Sequence, residues 1–467
     1  MKQLDPSKLT SVDENGDRLT IIPAEVRGKF RKYRNYVQGV LLAVFMLLPW
    51  TTINGHQTIW LNIPDREFAL FGALFKAHDA PMLFFILAIL TLGLAFVTSI
   101  WGRVWCGWAC PQTVFIDAVF RRIEQWTEGN YIERRRLRET VSTERLRKSG
   151  LKWLLFVLAS SLIAHSFLAY FVGAKELLGM MQDSPDQNLT YFLLVTIFTA
   201  LILFDFAWFR EQFCVIMCPY GRIQSLLLDS KSLAVVYDVK RGEPRRSLAT
   251  PAQPAGDCVS CNRCVQACPT GIDIRNGLQM ECIACTACID ACDEIMEKVN
   301  KPKGLIRYNT LDGSKLTLKR PRSIIYMAII LIMVGGFTYS LAMRESLDWT
   351  VIRGQGLPYS FVKSETGTDL ILNQFKIHIQ NQGQADALYK LSLSDQAMAQ
   401  GLILNVGENP LPLKTGESRE WYFFIKAPPA LLTSVQGKLK VTLQVHDLKS
   451  TPEVVSTRDI VLVGPKE

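Results

Sequence analysis

Eight of the twelve cysteines in this 467-residue chain lie between Cys258 and Cys292, in two copies of the spacing C-x2-C-x2-C-x3-C. Thiolate sulfur is the usual ligand of iron–sulfur clusters, and this spacing is typical of bacterial ferredoxins that hold two [4Fe–4S] clusters. In those ferredoxins the fourth cysteine of each run binds the other cluster. We therefore assign one cluster to Cys258, Cys261, Cys264 and Cys292, and the second to Cys282, Cys285, Cys288 and Cys268.

Zinc is the alternative metal for these two runs, because paired C-x2-C units also bind zinc. The duplicated four-cysteine run favours iron–sulfur clusters. Pro269 follows the first run as the ferredoxin pattern requires, whereas Asp293 replaces the proline after the second run. This replacement removes no ligand, but it predicts a different environment for one cluster.

The four other cysteines form two copies of C-x3-C-P, Cys106 with Cys110 and Cys214 with Cys218. Cysteines at i and i+4 share one face of a helix, but proline disfavours helix at the residue before it, so each pair is expected at a helix break. If the two copies are repeats of one unit, four sulfurs converge. Soft thiolates select Cu(I), zinc or iron–sulfur clusters. A transient redox disulfide and buried structural cysteine are the alternatives.

The segments that position these cysteines are apolar. Five of them have the length of about 20 mostly apolar residues that a membrane helix needs: 33–53, 82–101, 151–173, 190–209 and 323–343. No cleavable signal peptide is expected ahead of them, because residues 1–30 are polar and charged. Both C-x3-C-P motifs follow the end of a predicted span.

The distribution of Lys and Arg predicts the orientation. They are frequent before the first span and between 121 and 148, and sparse after the first and third spans. Since short loops rich in Lys and Arg stay in the cytoplasm, the N-terminus and the cysteine-rich insert are predicted to be cytoplasmic, and residues after 343 periplasmic. The formal net charge of +9 then reflects topology and attraction to anionic membrane lipid, and we expect no nucleic-acid partner.

The last part of the chain differs in kind. It lacks cysteine and alternates apolar with polar residues at 375–380, 421–425 and 439–445, with turn signals between these stretches. Such short strands predict a β-sandwich of immunoglobulin type, without the usual disulfide. His378 and His446 are expected at strand surfaces, with a periplasmic metal contact as the alternative.

The predicted fold is a membrane α-helical bundle of five spans, an inserted ferredoxin domain with two [4Fe–4S] clusters and an immunoglobulin-like β-sandwich. The predicted domains are a cytoplasmic tail (1–32), a four-helix membrane domain (33–228), a cytoplasmic ferredoxin-like domain with linkers (229–322), a fifth span (323–343) and a periplasmic sandwich (344–467). This inserts the cluster domain between the fourth and fifth spans.

Other residues are weaker candidates. Ionisable residues inside a membrane are functional hypotheses by default, which makes His165 a candidate metal or haem ligand and Asp205 a candidate proton or ion group; hydrogen bonding within the bundle would also account for both. Met217 is a candidate thioether ligand or a packing residue. Apolar spacing over 115–126 predicts an amphipathic helix, and the arginine-rich stretch 133–148 is expected to be a solvated helix, with a docking face for an electron donor as the alternative.

Taken together, these motifs resemble the CcoG family, also called FixG or RdxA, which are cytochrome c oxidase accessory proteins of the bacterial inner membrane. The resemblance implies reduction of Cu(II) to Cu(I) for assembly of cbb3-type oxidases. It places the cluster ligands on the eight cysteines assigned above and the family's membrane cysteine pairs on Cys106, Cys110, Cys214 and Cys218, where copper is expected as substrate or transient ligand and another metal or a redox disulfide are the alternatives. The implied partners are oxidase subunits or a copper chaperone or transporter, and an unidentified cytoplasmic electron donor.

Two other functions fit the same motifs. One is a quinol-linked subunit that passes electrons to or from a periplasmic reductase, and it would need no copper. The other is a non-enzymatic assembly factor whose tail holds oxidase subunits while its clusters sense redox state. The three functions can be distinguished experimentally, because they predict that cluster oxidation depends on copper, on a quinone or on neither.

Overall fold

The structure, a computed structural model, describes residues 21–53, 55–75, 79–139, 142–250, 254–317, 319–343, 347–354, 356–363, 369–383, 385–450 and 454–465. The chain divides into two compact units, Met1–Thr338 and Tyr339–Glu467. Each unit is described by itself.

The first unit is mainly helical. Its α-helices are α1 (Lys29–Leu47), α2 (Ala80–Trp101), α3 (Val104–Trp108), α4 (Pro111–Phe115), α5 (Arg121–Glu128), α6 (Tyr131–Glu139), α7 (Thr143–Val172), α8 (Ala174–Gln182), α9 (Leu189–Leu203), α10 (Pro219–Leu227), α11 (Val239–Gly242), α12 (Arg263–Gln266), α13 (Ala287–Lys298) and α14 (Pro321–Ala342). Turns of π-helix lie at Ile116–Phe120, Phe204–Phe209 and Phe213–Met217.

Short strands complete this unit. They are β1 (Thr52–Ile53), β2 (His56–Gln57), β3 (Ile59–Asn62), β4 (Glu67–Leu70), β5 (Ala73–Phe75), β6 (Leu233–Tyr237) and β7 (Ile306–Thr310). Strands β6 and β7 pair antiparallel and flank the cysteine-rich insert in sequence. The insert is therefore closed at its base by a two-stranded sheet.

Four helices within the described ranges are long and apolar enough to cross a membrane: Met82–Trp101, Thr143–Val172, Leu189–Phe209 and Pro321–Ala342. They correspond to four of the five predicted spans. The first predicted span, 33–53, differs, because helix α1 begins at Lys29 and ends at Leu47. Its opening turns carry Lys29, Arg31, Lys32 and Arg34, which leaves too short an apolar stretch.

Helix α1 nevertheless runs between the two ends of the bundle. Near its start, Arg34 donates a hydrogen bond to the carbonyl oxygen of Cys285 in the insert. Near its end, the carbonyl oxygen of Phe45 accepts a hydrogen bond of 2.8 Å from the Tyr170 hydroxyl at the far end of α7. Its 19 residues give a length of about 28 Å. Helix α1 thus spans the bundle with its charged turns at the insert.

The charged turns of α1 are neutralised by a buried carboxylate. Asp117 is 2% exposed and accepts hydrogen bonds from Arg31 at 3.1 Å, from Arg121 at 2.8 Å and from Arg34. Burial acts to raise the pKa of Asp117, but Arg34, Arg121 and Arg31 hold it well below its usual range. Asp117 therefore stays ionised and joins α1 to the segment that follows the first C-x3-C-P turn.

The insert also caps helix α1. The carboxylate of Asp290, on α13, accepts from the backbone N–H groups of Phe30 at 3.2 Å and Arg31 at 2.6 Å. The first N–H groups of a helix lack partners within it, and a carboxylate there meets the positive end of the helix dipole. Gly28 permits this approach, because a Cβ atom at that position would lie 2.3 Å from Cγ of Asp290.

The segment 115–126 packs with an apolar face as predicted, except that Trp126 is 80% exposed and the segment comprises the end of α4, a π-helical turn and α5. Phe115, Ile116, Phe120 and Ile123 are buried against Phe156 of α7 and neighbouring helices. The expectation of a solvated helix over 133–148 is wrong in two respects. Helix α6 ends at Glu139 and α7 begins at Thr143, and Arg134 is buried because it pairs with the buried Glu124.

The second unit is the predicted β-sandwich. Its strands are β8 (Leu347–Arg353), β9 (Ser360–Lys363), β10 (Asp369–Asn381), β11 (Ala387–Leu393), β12 (Ile403–Val406), β13 (Leu411–Leu413), β14 (Ser418–Ala427), β15 (Lys438–Asp447) and β16 (Val454–Val463), with the short helices α15 (Asp395–Ala399) and α16 (Pro429–Ser434).

Two antiparallel sheets form this sandwich. One has the order β12-β14-β10-β8, with β9 also paired to β10, and the other has the order β13-β11-β15-β16. Alternate residues of each strand point into a shared apolar core around Trp349, Tyr389 and Phe423. His378 is exposed on β10, and His446 lies 3.0 Å from the Ser392 hydroxyl. Packing between the sheets replaces the disulfide of related sandwiches.

We predict that Asp117→Asn destabilises the first unit by about 3–5 kcal/mol, because three arginines lose their shared carboxylate while staying close to it. The shift in the thermal unfolding midpoint in detergent measures this effect. Glu139→Gln is the matched control, since its pair with Arg135 is exposed and such pairs contribute about 0–1 kcal/mol. Equal shifts for the two variants would contradict the role of Asp117.

Candidate functional site

The two cysteine runs of the insert share one backbone conformation. Ser260 and Asn262 in the first run, and Ala284 and Thr286 at the corresponding positions of the second, all have left-handed backbones with φ of 58°, 56°, 52° and 63°. Each such non-glycine residue costs about 1–3 kcal/mol and persists where its surroundings require it. Successive N–H groups in turns of this kind form the concave sites that hold many iron–sulfur clusters. The repeat inferred from cysteine spacing is thus present in the backbone.

The eight cysteines line two separate small cavities. One cavity is lined by Cys258, Cys261, Cys264 and Cys292. The other is lined by Cys268, Cys282, Cys285 and Cys288, and Cys264 lines both cavities. This division is the one that crossed ligation of two [4Fe–4S] clusters requires, and the side chains present fit that cofactor.

Zinc is the alternative metal, and a structural zinc site needs about four ligands around one ion. In a [4Fe–4S] cluster each cysteine binds a different iron, so the thiols lie farther apart than they do around zinc. Two cavities, each lined by cysteines from both runs, match the crossed ligation of clusters.

Burial sets the acidity of the cluster cysteines. It is the largest cause of the raised pKa values, about 11 for Cys268 and about 12 for Cys264, Cys282 and Cys292. A metal binds the thiolate and not the thiol, so cluster binding has to release these protons.

The two C-x3-C-P motifs also share a backbone conformation. Gly102 and Arg210, each four residues before the first cysteine of its motif, have φ, ψ of 60°, −132° and 53°, −127°. Cys110 and Cys218 are extended, and their N–H groups bond to the carbonyl oxygens of Trp105 at 2.9 Å and Phe213 at 2.8 Å. Both motifs thus break their helix before proline, as predicted, and form two copies of one turn, which we call the first and second thiol turns.

The thiol turns bring their cysteines close enough to interact. Burial, with Cys110 and Cys218 nearby, raises the pKa of Cys106 to about 11, against the lowering effect of Arg103. Burial also raises the pKa of Cys214, and Cys110, Cys106 and Cys218 act in the same direction. Convergence of all four sulfurs on one ion stays a prediction, since no group of three or more His, Cys, Asp or Glu side chains among the described residues is placed to hold a single metal ion.

A buried side chain from α10 links the two thiol turns. The Cys106 thiol donates to Oε1 of Gln224 at 3.5 Å, and Gln224 is fully buried. Met217, in contrast, is 61% exposed. Gln224 thus completes the surroundings of Cys106, whereas nothing in its burial assigns Met217 to the thiols.

The first thiol turn packs directly on the second cysteine run of the insert. A Cβ atom at Gly107 would lie 2.6 Å from the carbonyl oxygen of Ile283 and 2.8 Å from that of Ala284. Only glycine permits this distance. Gly107 adjoins Cys106, and Ile283 and Ala284 lie between Cys282 and Cys285, so one residue separates the thiol site from the cluster loop.

Two further side chains hold this contact. Arg103 donates to the carbonyl oxygens of Cys282 at 3.3 Å, of Gly221 at 3.0 Å and of Met280. The Tyr308 hydroxyl accepts from Trp108 at 3.2 Å and donates to the carbonyl oxygen of Ala284 at 3.1 Å. The sequence analysis missed Arg103, Gly107 and Tyr308. The one sequence signal for this contact was Gly107, a glycine inside a C-x3-C motif of helical spacing.

The weaker candidates have ordinary partners. Nδ1 of His165 lies 2.7 Å from the carbonyl oxygen of Ser161 in its own helix, and Asp205 accepts from Nε2 of Gln112 at 2.9 Å. Hydrogen bonding within the bundle thus accounts for both.

Asp293, the residue that replaces proline after the second cysteine run, accepts a hydrogen bond from the N–H of Gly304 at 2.8 Å. It therefore anchors the loop before β7.

Membrane helices that carry two thiol turns, packed on an insert with two cysteine-lined cavities, define a multi-pass membrane protein of the iron–sulfur electron-transfer class. Family profiles match this division. Residues 209–311 match the family described as "4Fe-4S dicluster domain", residues 82–129 "4Fe-4S binding domain", and residues 337–465 "IG-like fold at C-terminal of FixG".

Whole-chain relatives agree. Protein RdxB of Cereibacter sphaeroides is 34% identical over 434 residues, which cover 90% of this chain and 84% of the relative. Protein RdxA of the same organism is 33% identical over 403 residues, covering 81% and 83%. Nitrogen fixation protein FixG of Rhizobium meliloti is 31% identical over 459 residues, covering 85% and 86%. The chain belongs to the FixG/RdxA family, as its motifs predicted.

One solved structure also matches. The crystal structure of a FixG-related protein from Vibrio parahaemolyticus aligns at 15% identity with a TM-score of 0.20, covering 26% of this chain and 97% of its own.

We predict that Gly107→Ala displaces the loop between Cys282 and Cys285, because the added methyl group meets backbone atoms that cannot move aside locally. The cluster signals in electron paramagnetic resonance and the iron content should both fall. Gly93→Ala is the control, since a Cβ atom there has no neighbour within 4 Å. Identical cluster spectra in the two variants would contradict the close contact.

Proposed function

We propose that this protein reduces Cu(II) to Cu(I) at the two thiol turns, for assembly of a cbb3-type cytochrome c oxidase. The observation that carries the proposal is the backbone contact of Gly107 with Ile283 and Ala284. It supports the proposal because Gly107 adjoins Cys106, so the first thiol turn lies against the loop of one cluster. When bound, the two [4Fe–4S] clusters supply electrons singly, and reduction of Cu(II) to Cu(I) takes one electron.

The chain's own side chains have distinct parts in this proposal. The four thiols bind copper as substrate, release their protons as copper–sulfur bonds form, and then hold the product, because soft thiolates favour Cu(I). Arg103 acts to lower the pKa of Cys106 and thereby favours the thiolate. Gln224 and the apolar helices around the turns limit access of water. In the next step, a copper chaperone, a transporter or an oxidase subunit would remove Cu(I).

Orientation is part of the proposal. The arginine-rich helices α5 and α6 lie at the same end of the bundle as the insert. Arg134 of α6 pairs with Glu124 of α5 and donates to the carbonyl oxygen of Pro23 at 3.3 Å. The next residue, Ala24, donates its N–H to the carbonyl oxygen of Gln266 in the insert at 2.7 Å. Segments rich in Lys and Arg stay in the cytoplasm. We therefore place the clusters and their electron donor in the cytoplasm of the bacterial inner membrane and the β-sandwich in the periplasm.

A specific observation favours a second interpretation of the thiol turns. The match to the "4Fe-4S binding domain" family covers residues 82–129, a stretch whose cysteines are Cys106 and Cys110. Under this interpretation the four thiols hold a third iron–sulfur centre, and the protein carries electrons onward, for example to or from a quinol. The two interpretations differ in the iron content lost when the thiols are removed.

The test uses anaerobic protein with reduced clusters, mixed with Cu(II) and a dye specific for Cu(I). We expect dye colour to develop in step with cluster oxidation in the wild type and in Met217→Leu, which keeps every thiol. In Cys214→Ala/Cys218→Ala the rate should fall by more than about tenfold, as metal sites do when their binding shell is altered, with no loss of iron.

The other outcomes identify the alternatives. Loss of about a third of the iron in the double variant would assign the thiol turns to a cluster. If the reduced clusters are not oxidised by copper but react with a quinone analogue, quinol-linked electron transfer is the function and copper reduction is not. If the clusters react with neither copper nor the quinone analogue and the protein still binds oxidase subunits, the protein is a non-enzymatic assembly factor.

A further inference from the structure

A basic cavity of about 440 Å³ lies in the first unit, between the residues that precede α1, helices α5 and α6, and the insert. Seven of its lining residues are arginine or lysine, against two carboxylates, Glu25 and Asp117. Ligand sites commonly have volumes of about 300–1,000 Å³. This cavity is separate from the cysteine-lined cavities and from the thiol turns.

The ion cluster in its wall has a surplus of positive charge. Five arginines interact there with three carboxylates, Asp117, Glu124 and Glu211. The side chains of all eight are at most 19% exposed. Glu25 is more exposed and lies 3.9 Å from Arg134, and even with it these ion pairs, counted over the part of the chain that the structure describes, contain one arginine more than carboxylates. Buried charge is stable only when it is paired, so the wall favours a further anion.

Three arginines of this wall also have unused donors. The Nε atoms of Arg34, Arg121 and Arg134 are buried and have no hydrogen-bond partner among the residues that the structure describes. The three residues are 3%, 8% and 4% exposed, and all of them line the cavity. Guanidinium groups have a planar fork of donors that matches the oxygen atoms of phosphate. These Nε atoms are enclosed by protein, so a ligand would bind to the basic groups that face the cavity. The excess of arginine and lysine in the lining points to an anion such as phosphate.

Part of the cavity lining adjoins the cysteines of one cluster. Ala267 and Pro269 line it on either side of Cys268, and Ala287 lines it next to Cys288. Both cysteines are assigned to the same [4Fe–4S] cluster. Net charge near a cluster is one of the factors that set its reduction potential, so an anion held here would make that potential more negative.

We infer that this cavity binds a ligand through its phosphate group, and that the ligand is the headgroup of an anionic phospholipid or a soluble phosphate compound. The inference does not rest on copper reduction, because none of the residues that carry it is in the thiol turns. Bound phosphate would supply the negative charge that the arginine cluster lacks and would adjust the cluster beside Cys268.

The test uses the full chain with its clusters in nanodiscs. In discs of phosphatidylcholine alone, pyrophosphate is titrated by calorimetry; in discs that also contain phosphatidylglycerol, retained lipid is identified by native mass spectrometry. The cavity variant is Lys32→Gln/Arg122→Gln, whose two residues line the cavity but are outside the buried pairs named above. The control is Arg135→Gln/Arg147→Gln, which removes the same charge from exposed positions of α6 and α7.

We expect the cavity variant to weaken binding by about tenfold or more, as loss of hydrogen bonds to charged groups does, and the control to bind as the wild type does. Unchanged cluster absorption in both variants shows that they fold. Pyrophosphate binding with a negative shift in cluster potential assigns a soluble phosphate; selective retention of phosphatidylglycerol assigns a lipid headgroup. Absence of both in the wild type, or equal loss in the two variants, overturns the inference.

Discussion

The carboxylate of Asp117 is the interaction on which the cluster side of this molecule depends. It accepts from Arg31 and Arg34 of α1 and from Arg121 of α5, and Arg34 in turn binds the carbonyl oxygen of Cys285. One buried anion thus connects a helix of the bundle, the segment after the first thiol turn and a cluster loop. Without it the arginines of α1 would be uncompensated charges in a poorly hydrated interior, where charge is stable only when paired.

The second organising feature is that the cysteine runs and the thiol turns each occur as two copies of one backbone conformation. The cysteine runs repeat their left-handed residues, and the thiol turns repeat their φ > 0 residue and extended cysteine. The two thiol turns differ in what surrounds them. The first thiol turn lies against the cluster loop through Gly107, whereas the second is followed by α10, which contributes Gln224 to Cys106. The two thiol turns therefore have different roles. The first contacts the insert, and the second is followed by the helix that completes the surroundings of Cys106.

Sequence alone predicted what depends on local spacing. The cysteine runs, the helix breaks before Pro111 and Pro219, four membrane helices and the sandwich all follow from residue types within a few positions of one another. What it missed depends on distant partners. Helix α1 departs from its predicted bounds because its arginines are neutralised by Asp117, 83 residues from Arg34. Arg134 is buried because of Glu124, and the roles of Gly107 and Arg103 depend on a loop more than 170 residues away. Contacts between residues so far apart in sequence cannot be predicted from the pattern of residue types within one segment.

The capping of α1 by Asp290 has a consequence for biosynthesis. The cap and the helix it completes are 260 residues apart. At a translation rate of about 5–20 residues per second, the ribosome needs roughly tens of seconds to reach Asp290 after α1 has emerged. During that interval the first N–H groups of α1 lack the carboxylate and are left to water. Because Asp290 lies between Cys288 and Cys292, the start of the first helix acquires its cap only after the second cysteine run has been synthesised.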